Sequence, residues 1–235
     1  MITGILVALP EELNTLTKLK VKQGECIAVT DNIIIILSGA GPTKAHQAAQ
    51  ELVLQGAQQL ISWGCAGALD PRLKAGDLII PQTILTADNN QIMTHTEWSK
   101  QIIKRLPEKI KYYTGTLLES DSIIDSATSK NKSFQKTQAI AVDMESAALA
   151  RVAQQKQLPC LALRSIVDPA NLDLPHAINH AMTGSGLISI PKLMLYLCTH
   201  LNEVPRLIKL GLNFNTASRT LKTLALQLPQ ISQNQ

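Results

Sequence analysis

The sequence predicts an α/β fold built on a largely parallel sheet. Short apolar segments of strand length alternate along the chain with segments that carry helix-start signals or helical spacing, and this alternation is typical of α/β proteins. The 235 residues are 45% hydrophobic, which is enough for one sizeable core. Apolar runs such as residues 33–37 have the length of a buried strand, and none is long enough to span a bilayer.

The predicted strands are apolar runs bounded by turn residues. Asp31 and Asn32 separate two of these runs, which are therefore predicted to form a hairpin. The predicted strands cover residues 2–9, 26–30, 33–37, 59–63, 77–81, 84–87, 112–118, 139–142 and 159–167.

Helices are predicted between these strands. Pro10 and the two glutamates after it favour a helix start. A tight turn at residues 38–42 leads into an alanine-rich helix, a glycine-rich turn follows at 64–67, and further helices are predicted at 98–106 and 144–155. The polar, lysine-rich segment 126–137 is predicted to be a surface loop, and the chain beyond Asp168 and Pro169 to be mostly helical.

The net charge of +4 comes entirely from the C-terminal end. Residues 204–235 carry four basic side chains and no acidic one, so residues 1–203 are neutral overall; the four are Arg206, Lys209, Arg219 and Lys222. We therefore predict a catalytic domain over 1–203 and a basic amphipathic helical extension over 204–235. The extension either packs on the core or lies on an anionic membrane surface.

Composition excludes several function classes. Aromatic residues make up 3% of the chain, too few for a stacking platform that binds single-stranded nucleic acid, and the neutral body does not favour a polyanionic partner. The four cysteines show no disulfide or zinc spacing, and the N-terminus has no basic segment of a secretory signal. A reduced cytoplasmic chain without a metal site or a cofactor is expected; the cysteines are Cys26, Cys65, Cys160 and Cys198.

Carboxylates follow several predicted strands, where α/β proteins bind their ligands. Glu12 follows the first strand, Asp143 and Glu145 follow residues 139–142, and Asp168 follows residues 159–167. Each also has a structural explanation, as a first-turn acid or a turn starter before proline. Cys65 is either a nucleophile or a small buried residue of the glycine-rich turn. The shared position of the carboxylates favours acid–base chemistry.

Five stretches of the chain resemble the nucleoside phosphorylase/nucleosidase family. They are GILVALPEEL at 4–13, SGAGPTKAHQA at 38–48, SWGCAGALDPRLKAGDLIIP at 62–81, AVDMESAALARVA at 141–153 and LRSIVDPAN at 163–171. The resemblance implies a three-layer αβα sandwich around a mixed sheet, a homodimer, and cleavage of the N-ribosidic bond of a purine nucleoside.

The resemblance implies a role for each residue at the strand ends. Asp168 would protonate N7 of the purine, and Glu12 would act as the general base on the attacking water. Glu145 would hold the ribose hydroxyls, with Met144 packing under the sugar. The backbone of Cys65, Ala66 and Gly67 would line the sugar and base pocket.

Water is favoured over phosphate as the nucleophile. Bacterial phosphorylases of the family carry an arginine for phosphate two residues before the glycine of the GCAG-type turn, and Ser62 stands at that position here. A phosphate dianion would lack its bidentate partner. Lys44, at a helix start, is a second candidate for an anion and leaves phosphorolysis open.

Two departures from the family pattern favour its hopanoid-associated branch. Ile123 replaces the aromatic residue expected near the base, and residues 81–112 are short where methylthioadenosine nucleosidases close the site. These departures and the amphipathic tail fit release of adenine from lipid-linked adenosylhopane near a membrane. The alternatives are a methylthioadenosine/S-adenosylhomocysteine or futalosine nucleosidase, a non-catalytic nucleoside-binding module, and a membrane adaptor.

Overall fold

The computed structural model describes residues 1–181, 195–196 and 199–228. Within these ranges, eleven strands form one mixed sheet. They are β1 (Thr3–Val7), β2 (Cys26–Thr30), β3 (Ile33–Leu37), β4 (Gln59–Ala68), β5 (Leu78–Ile79), β6 (Thr83–Leu85), β7 (Gln91–Met93), β8 (Tyr112–Tyr113), β9 (Thr116–Glu119), β10 (Ala141–Asp143) and β11 (Cys160–Asp168). Cys198 and most of the predicted helical stretch at 182–198 lie outside the described residues.

Helices connect and cover these strands. They are α1 (Pro10–Leu13), α2 (Pro42–Leu54), α3 (Thr96–Arg105), α4 (Ala127–Thr137), α5 (Ser146–Gln155), α6 (His176–Ala181) and α7 (Val204–Ala225), with a 3-10 turn at Leu201–Glu203. Both α1 and α2 begin with the prolines that the sequence places there, because proline fits the first helical turn.

Strand β4 occupies the centre of the sheet. Its first half lies between β1 and β11, both parallel to it, and its end pairs with the antiparallel strand β10. Among the described strand pairs, those of β4 with β1 and β11 place three carboxyl ends at one edge. The predicted hairpin of β2 and β3 is confirmed.

Alternate residues of β4 face opposite layers, as the two-residue period of a strand requires. Leu60 belongs to an apolar cluster with the alanines of α2 and α5. Ile61 belongs to a second cluster with Trp98 of α3 and Leu221 of α7. The sheet therefore lies between two helical layers, and the predicted α/β fold with a central mixed sheet is confirmed.

Two local predictions are wrong. Residues 64–67 are not a turn after a strand; they continue β4, because β10 and β11 supply partners on both sides. Residues 126–137 are not a loop: α4 begins where the hydroxyl of Ser126 accepts a hydrogen bond from the backbone of Ser129, and it ends at Gln138 in the left-handed region. The capping residues at its two ends stabilise this helix. Its sequence lacks the apolar stripe from which a helix would have been predicted.

The C-terminal helix α7 packs on the core through its second half. Leu221 and Leu224 are buried in the cluster beside β11, whereas Ile208 and Leu212 in the first half are exposed. The second half of α7 therefore packs on the core, which is one of the two predicted alternatives. Contact of its first half with a membrane stays a prediction. Within the described residues, no helix is both long and apolar enough to cross a membrane.

Candidate active site

Glu12 lies buried where α1 meets the end of β1. One carboxylate oxygen accepts a hydrogen bond from the backbone N–H of Leu9 at 3.1 Å, and the other accepts one from that of Cys65 at 2.7 Å. The first contact is the helix-start role expected of a first-turn acid. The second carries the carboxylate across to β4. Burial raises the pKa of Glu12, and the nearby Arg164 guanidinium opposes that rise.

The carboxylate of Glu145 contacts the start of α2. Its Oε1 accepts a hydrogen bond from the backbone N–H of Gly41 at 2.9 Å. Gly41 has φ of 102°, a left-handed conformation that favours glycine, and this conformation presents its N–H to the carboxylate. Burial, together with the neighbouring Asp143, raises the pKa of Glu145 to about 7.

Arg164 is the residue at the centre of the site that sequence reasoning missed. Its side chain is 1% exposed on β11, and its Nε donates to Asp143 at 2.6 Å while Nη2 donates to Ser62 at 2.6 Å. Nη2 also lies 4.0 Å from Oε2 of Glu145. A single charge inside an apolar strand was the available signal, because buried charges need partners. Arg164 thus links the carboxylates of Asp143 and Glu145 into one charged cluster.

Gly64 permits this close approach. A Cβ at Gly64 would lie 2.5 Å from Oε1 of Glu12 and would also collide with Nη1 of Arg164. The first glycine of the GCAG segment is therefore required by the packing of charged side chains, and not by a turn.

Cys65 does not have the chemistry of a nucleophile. Burial raises the pKa of its thiol well above the usual range, and the adjacent Glu12 carboxylate raises it further, so the thiolate is disfavoured. Its backbone N–H is already bound to Glu12. Cys65 is half-buried and lies in β4, so the alternative of a small buried residue in a turn is also wrong in its detail.

Asp168 lies at the end of β11, after a break in strand register. The pairing with β4 shifts between Ile166 and Asp168, so that Asp168 stands opposite Gly67. Such bulges redirect side chains next to active sites. Oδ2 of Asp168 lies 2.5 Å from Nζ of Lys130, a buried residue of α4 that sequence reasoning also missed. Burial raises the pKa of Asp168 to about 6, although Lys130 lowers it.

A cavity of about 310 Å³ opens beside Asp168. The turn after β11 and the first half of α7 line its walls, with Asp173 on one side and Arg206 and Lys209 on the other. Among the described residues, Asp168 therefore forms part of the wall of this cavity.

The other predicted site residues occupy less central positions. Met144 and Ile123 are half-buried, and Ile123 lies in the loop between β9 and α4. The side chain of Ala66 belongs to the apolar core, so only its backbone is placed to line a pocket.

These contacts arrange the site along the end of β4. The Glu12 carboxylate accepts from the backbone N–H of Cys65 beside Gly64. Asp168 lies against Gly67, which is two residues, or roughly 7 Å, farther along the strand than Cys65. Both carboxyl groups have raised pKa values. Glu12 can accept a proton and Asp168 can donate one, which is the arrangement that acid–base chemistry needs.

Comparison with known proteins places the chain in a family. Residues 3–185 match the model of the phosphorylase superfamily. A 5′-methylthioadenosine/S-adenosylhomocysteine nucleosidase of Buchnera aphidicola subsp. Baizongia pistaciae is 32% identical, over 80% of this chain and 87% of that protein. One from Staphylococcus epidermidis is 26% identical, over 59% of this chain and 69% of that protein.

Solved structures share the fold. The Helicobacter pylori nucleosidase of the same name has a TM-score of 0.70 and 23% identity, covering 97% of this chain and 96% of that chain. Futalosine hydrolase of Helicobacter pylori has a TM-score of 0.69 and 22% identity, with the same coverage. The predicted fold and enzyme class are confirmed, and the chain belongs to the phosphorylase superfamily.

Proposed function

We propose that this protein hydrolyses the N-ribosidic bond of an adenine nucleoside of the 5′-methylthioadenosine/S-adenosylhomocysteine type. The observation that carries this proposal is the placement of the Glu12 and Asp168 carboxyl groups against the same four-residue segment of β4, each with a raised pKa. The named substrates come from the nucleosidases of Buchnera and Staphylococcus that the chain resembles.

In the proposed reaction, Asp168 gives its proton to N7 of adenine. The bond between N9 and C1′ then breaks with its electron pair on the base, and the sugar gains oxocarbenium character. Glu12 takes a proton from water as the water oxygen bonds to C1′. The carboxylates of Glu12 and Glu145 stabilise the positive charge that develops on the sugar. Glu145 also holds the ribose hydroxyls.

Two contacts favour water over phosphate. The hydroxyl of Ser62 accepts a hydrogen bond from Arg164, whose Nε is paired with Asp143, so this cation is already engaged by the protein. At the start of α2, the N–H of Gly41 is bound by the carboxylate of Glu145. A phosphate dianion placed there would meet this carboxylate, and like charges repel.

The curated relatives favour the alternative of the sequence analysis over adenosylhopane. The nucleosidases of Buchnera and Staphylococcus carry the methylthioadenosine name, and the futalosine hydrolase likeness shows the fold alone. The half-buried Ile123, which stands where an aromatic residue near the base is expected, is the feature that favours adenosylhopane.

The substrate proposal is tested by adenine release from four nucleosides at equal concentration: methylthioadenosine, S-adenosylhomocysteine, futalosine and adenosylhopane. Futalosine is followed through its own base. We expect kcat/KM to be highest for the first two by at least about tenfold, a difference of about 1.4 kcal/mol in transition-state binding. A higher kcat/KM for adenosylhopane in detergent would make adenosylhopane the substrate instead of methylthioadenosine or S-adenosylhomocysteine. No turnover of any of the four nucleosides would refute the proposed activity.

A further inference from the structure

Lys130 makes an unusual set of contacts for a residue in a polar helix. Its side chain is fully buried, and Nζ lies 2.5 Å from Oδ2 of Asp168. The same nitrogen donates to the backbone carbonyls of Leu172 at 2.7 Å and Pro169 at 3.2 Å. An ammonium group has three donors and no acceptor, so these three oxygens satisfy Lys130 completely.

The helix that carries Lys130 is tied to the chain that follows Asp168. The backbone N–H of Ala127 donates to the Asp173 carboxylate at 2.8 Å, and the N–H of Leu174 donates to the carbonyl of Asp125 at 2.7 Å. Together with the Lys130 contacts, these bonds clamp the turn after β11 onto the start of α4. The position of Lys130 relative to Asp168 is therefore set by several independent contacts.

The donor-only character of the ammonium orients the carboxyl group. Oδ2 of Asp168 accepts from Lys130, and the nearby positive charge favours the proton of the neutral acid on the other oxygen, Oδ1. Only that oxygen can then give a proton to a ligand. After the transfer, the anionic carboxylate remains in contact with a buried positive charge.

We propose that Lys130 is a positioning residue for the general acid: it holds Oδ2 of Asp168, directs Oδ1 toward the base, and stabilises the carboxylate that proton donation leaves behind. This inference rests on the proposed function of Asp168. It concerns the rate of leaving-group protonation and does not assign Lys130 a contact with the substrate.

The charges that face Asp168 come from three elements. Lys130 on α4 lowers its pKa, Asp173 in the following turn raises it, and Arg206 and Lys209 of α7 line the same cavity. Burial is the largest influence and raises the pKa. Removing the charge of Lys130 raises it further. Asp168 then stays protonated to higher pH, but it becomes a weaker acid.

The test compares Lys130→Gln, which keeps a hydrogen-bond donor without the charge, with Lys130→Met, which keeps only the length. Lys132→Gln is the control, because Lys132 is exposed on the same helix. The measurements are kcat and KM for methylthioadenosine between pH 5 and 9, with circular dichroism to check folding. We expect kcat at neutral pH to fall by about 10–100-fold in both Lys130 variants. The alkaline limb of kcat should move to higher pH.

A loss of kcat with an unmoved alkaline limb would show a merely structural lysine and overturn the inference, as would unchanged kcat. If the wild-type protein releases no adenine, the proposed function fails instead. In that case, the pKa of the Asp168 carboxyl, measured by carbon NMR in wild type and Lys130→Gln, still tests the contact. It should be higher in the variant, and equal values would overturn the inference.

Discussion

Replacing Asp168 with asparagine is expected to reduce adenine release by about 10²–10⁴-fold, the usual contribution of a positioned general acid. The amide has nearly the shape of the carboxyl group, and its oxygen can still accept from Lys130, so the fold should persist. The amide N–H can donate a hydrogen bond, but it is far too weakly acidic to transfer its proton to N7. Adenine release measured in a coupled assay should therefore show a large loss in kcat.

The pH profile adds a second readout to the Asp168→Asn experiment. Burial raises the pKa of Asp168 to about 6, so its acid form is present below that pH and is lost as pH rises through it. Wild-type kcat/KM should fall on the alkaline side near this value, and the variant should lack that limb. Asp31→Asn, an exposed change in the β2–β3 turn, serves as the control. Near-normal turnover by the Asp168 variant would remove Asp168 from the acid role.

Replacing Glu12 with glutamine is expected to lower kcat by about 10²–10⁴-fold while KM changes little. A glutamine oxygen can still accept from the N–H of Cys65, so the contact with β4 should remain. The amide nitrogen cannot accept from the N–H of Leu9, so that helix-start bond is lost. The amide cannot take a proton from water. Because burial raises the pKa of Glu12, its basic form is lost as pH falls, and the acid limb of wild-type kcat should disappear in the variant.

Glu11→Gln is the matched control for this second experiment, since Glu11 stands in the same helical turn with its side chain exposed. It should retain wild-type kcat. A Glu12 variant in which only KM rises would contradict the general-base assignment, because such a result indicates lost ground-state binding.

The sequence was sufficient for most of the strands and for the identity of the carboxylates, but it did not indicate β7, and it merged β8 and β9 into one strand. Apolar runs such as residues 33–37 have side chains buried on both faces of the sheet. Such a continuous apolar run is typical of a buried strand and can be recognised without knowing its partners. The sequence was insufficient for residues 64–67, because continuation of β4 through two glycines depends on partners from β10 and β11, far away in the chain.

The pairing of the site residues could not be predicted for the same reason. Glu12 binds a residue 53 positions away, and Glu145 binds one 104 positions away. The role of Lys130 was hidden more deeply. It belongs to a helix with polar composition, and its burial depends on where that helix packs against the turn after Asp168. The pattern of a surface segment and the pattern of α4 are the same in sequence.

The most direct test of this account is the identity of the sugar product formed from methylthioadenosine. The reaction is followed by mass spectrometry in buffer with and without inorganic phosphate. We expect equal rates of adenine release in both buffers and free 5-methylthioribose as the sugar. Release that requires phosphate and yields the sugar 1-phosphate would contradict the hydrolytic role of Glu12 and the argument from Ser62 and Gly41.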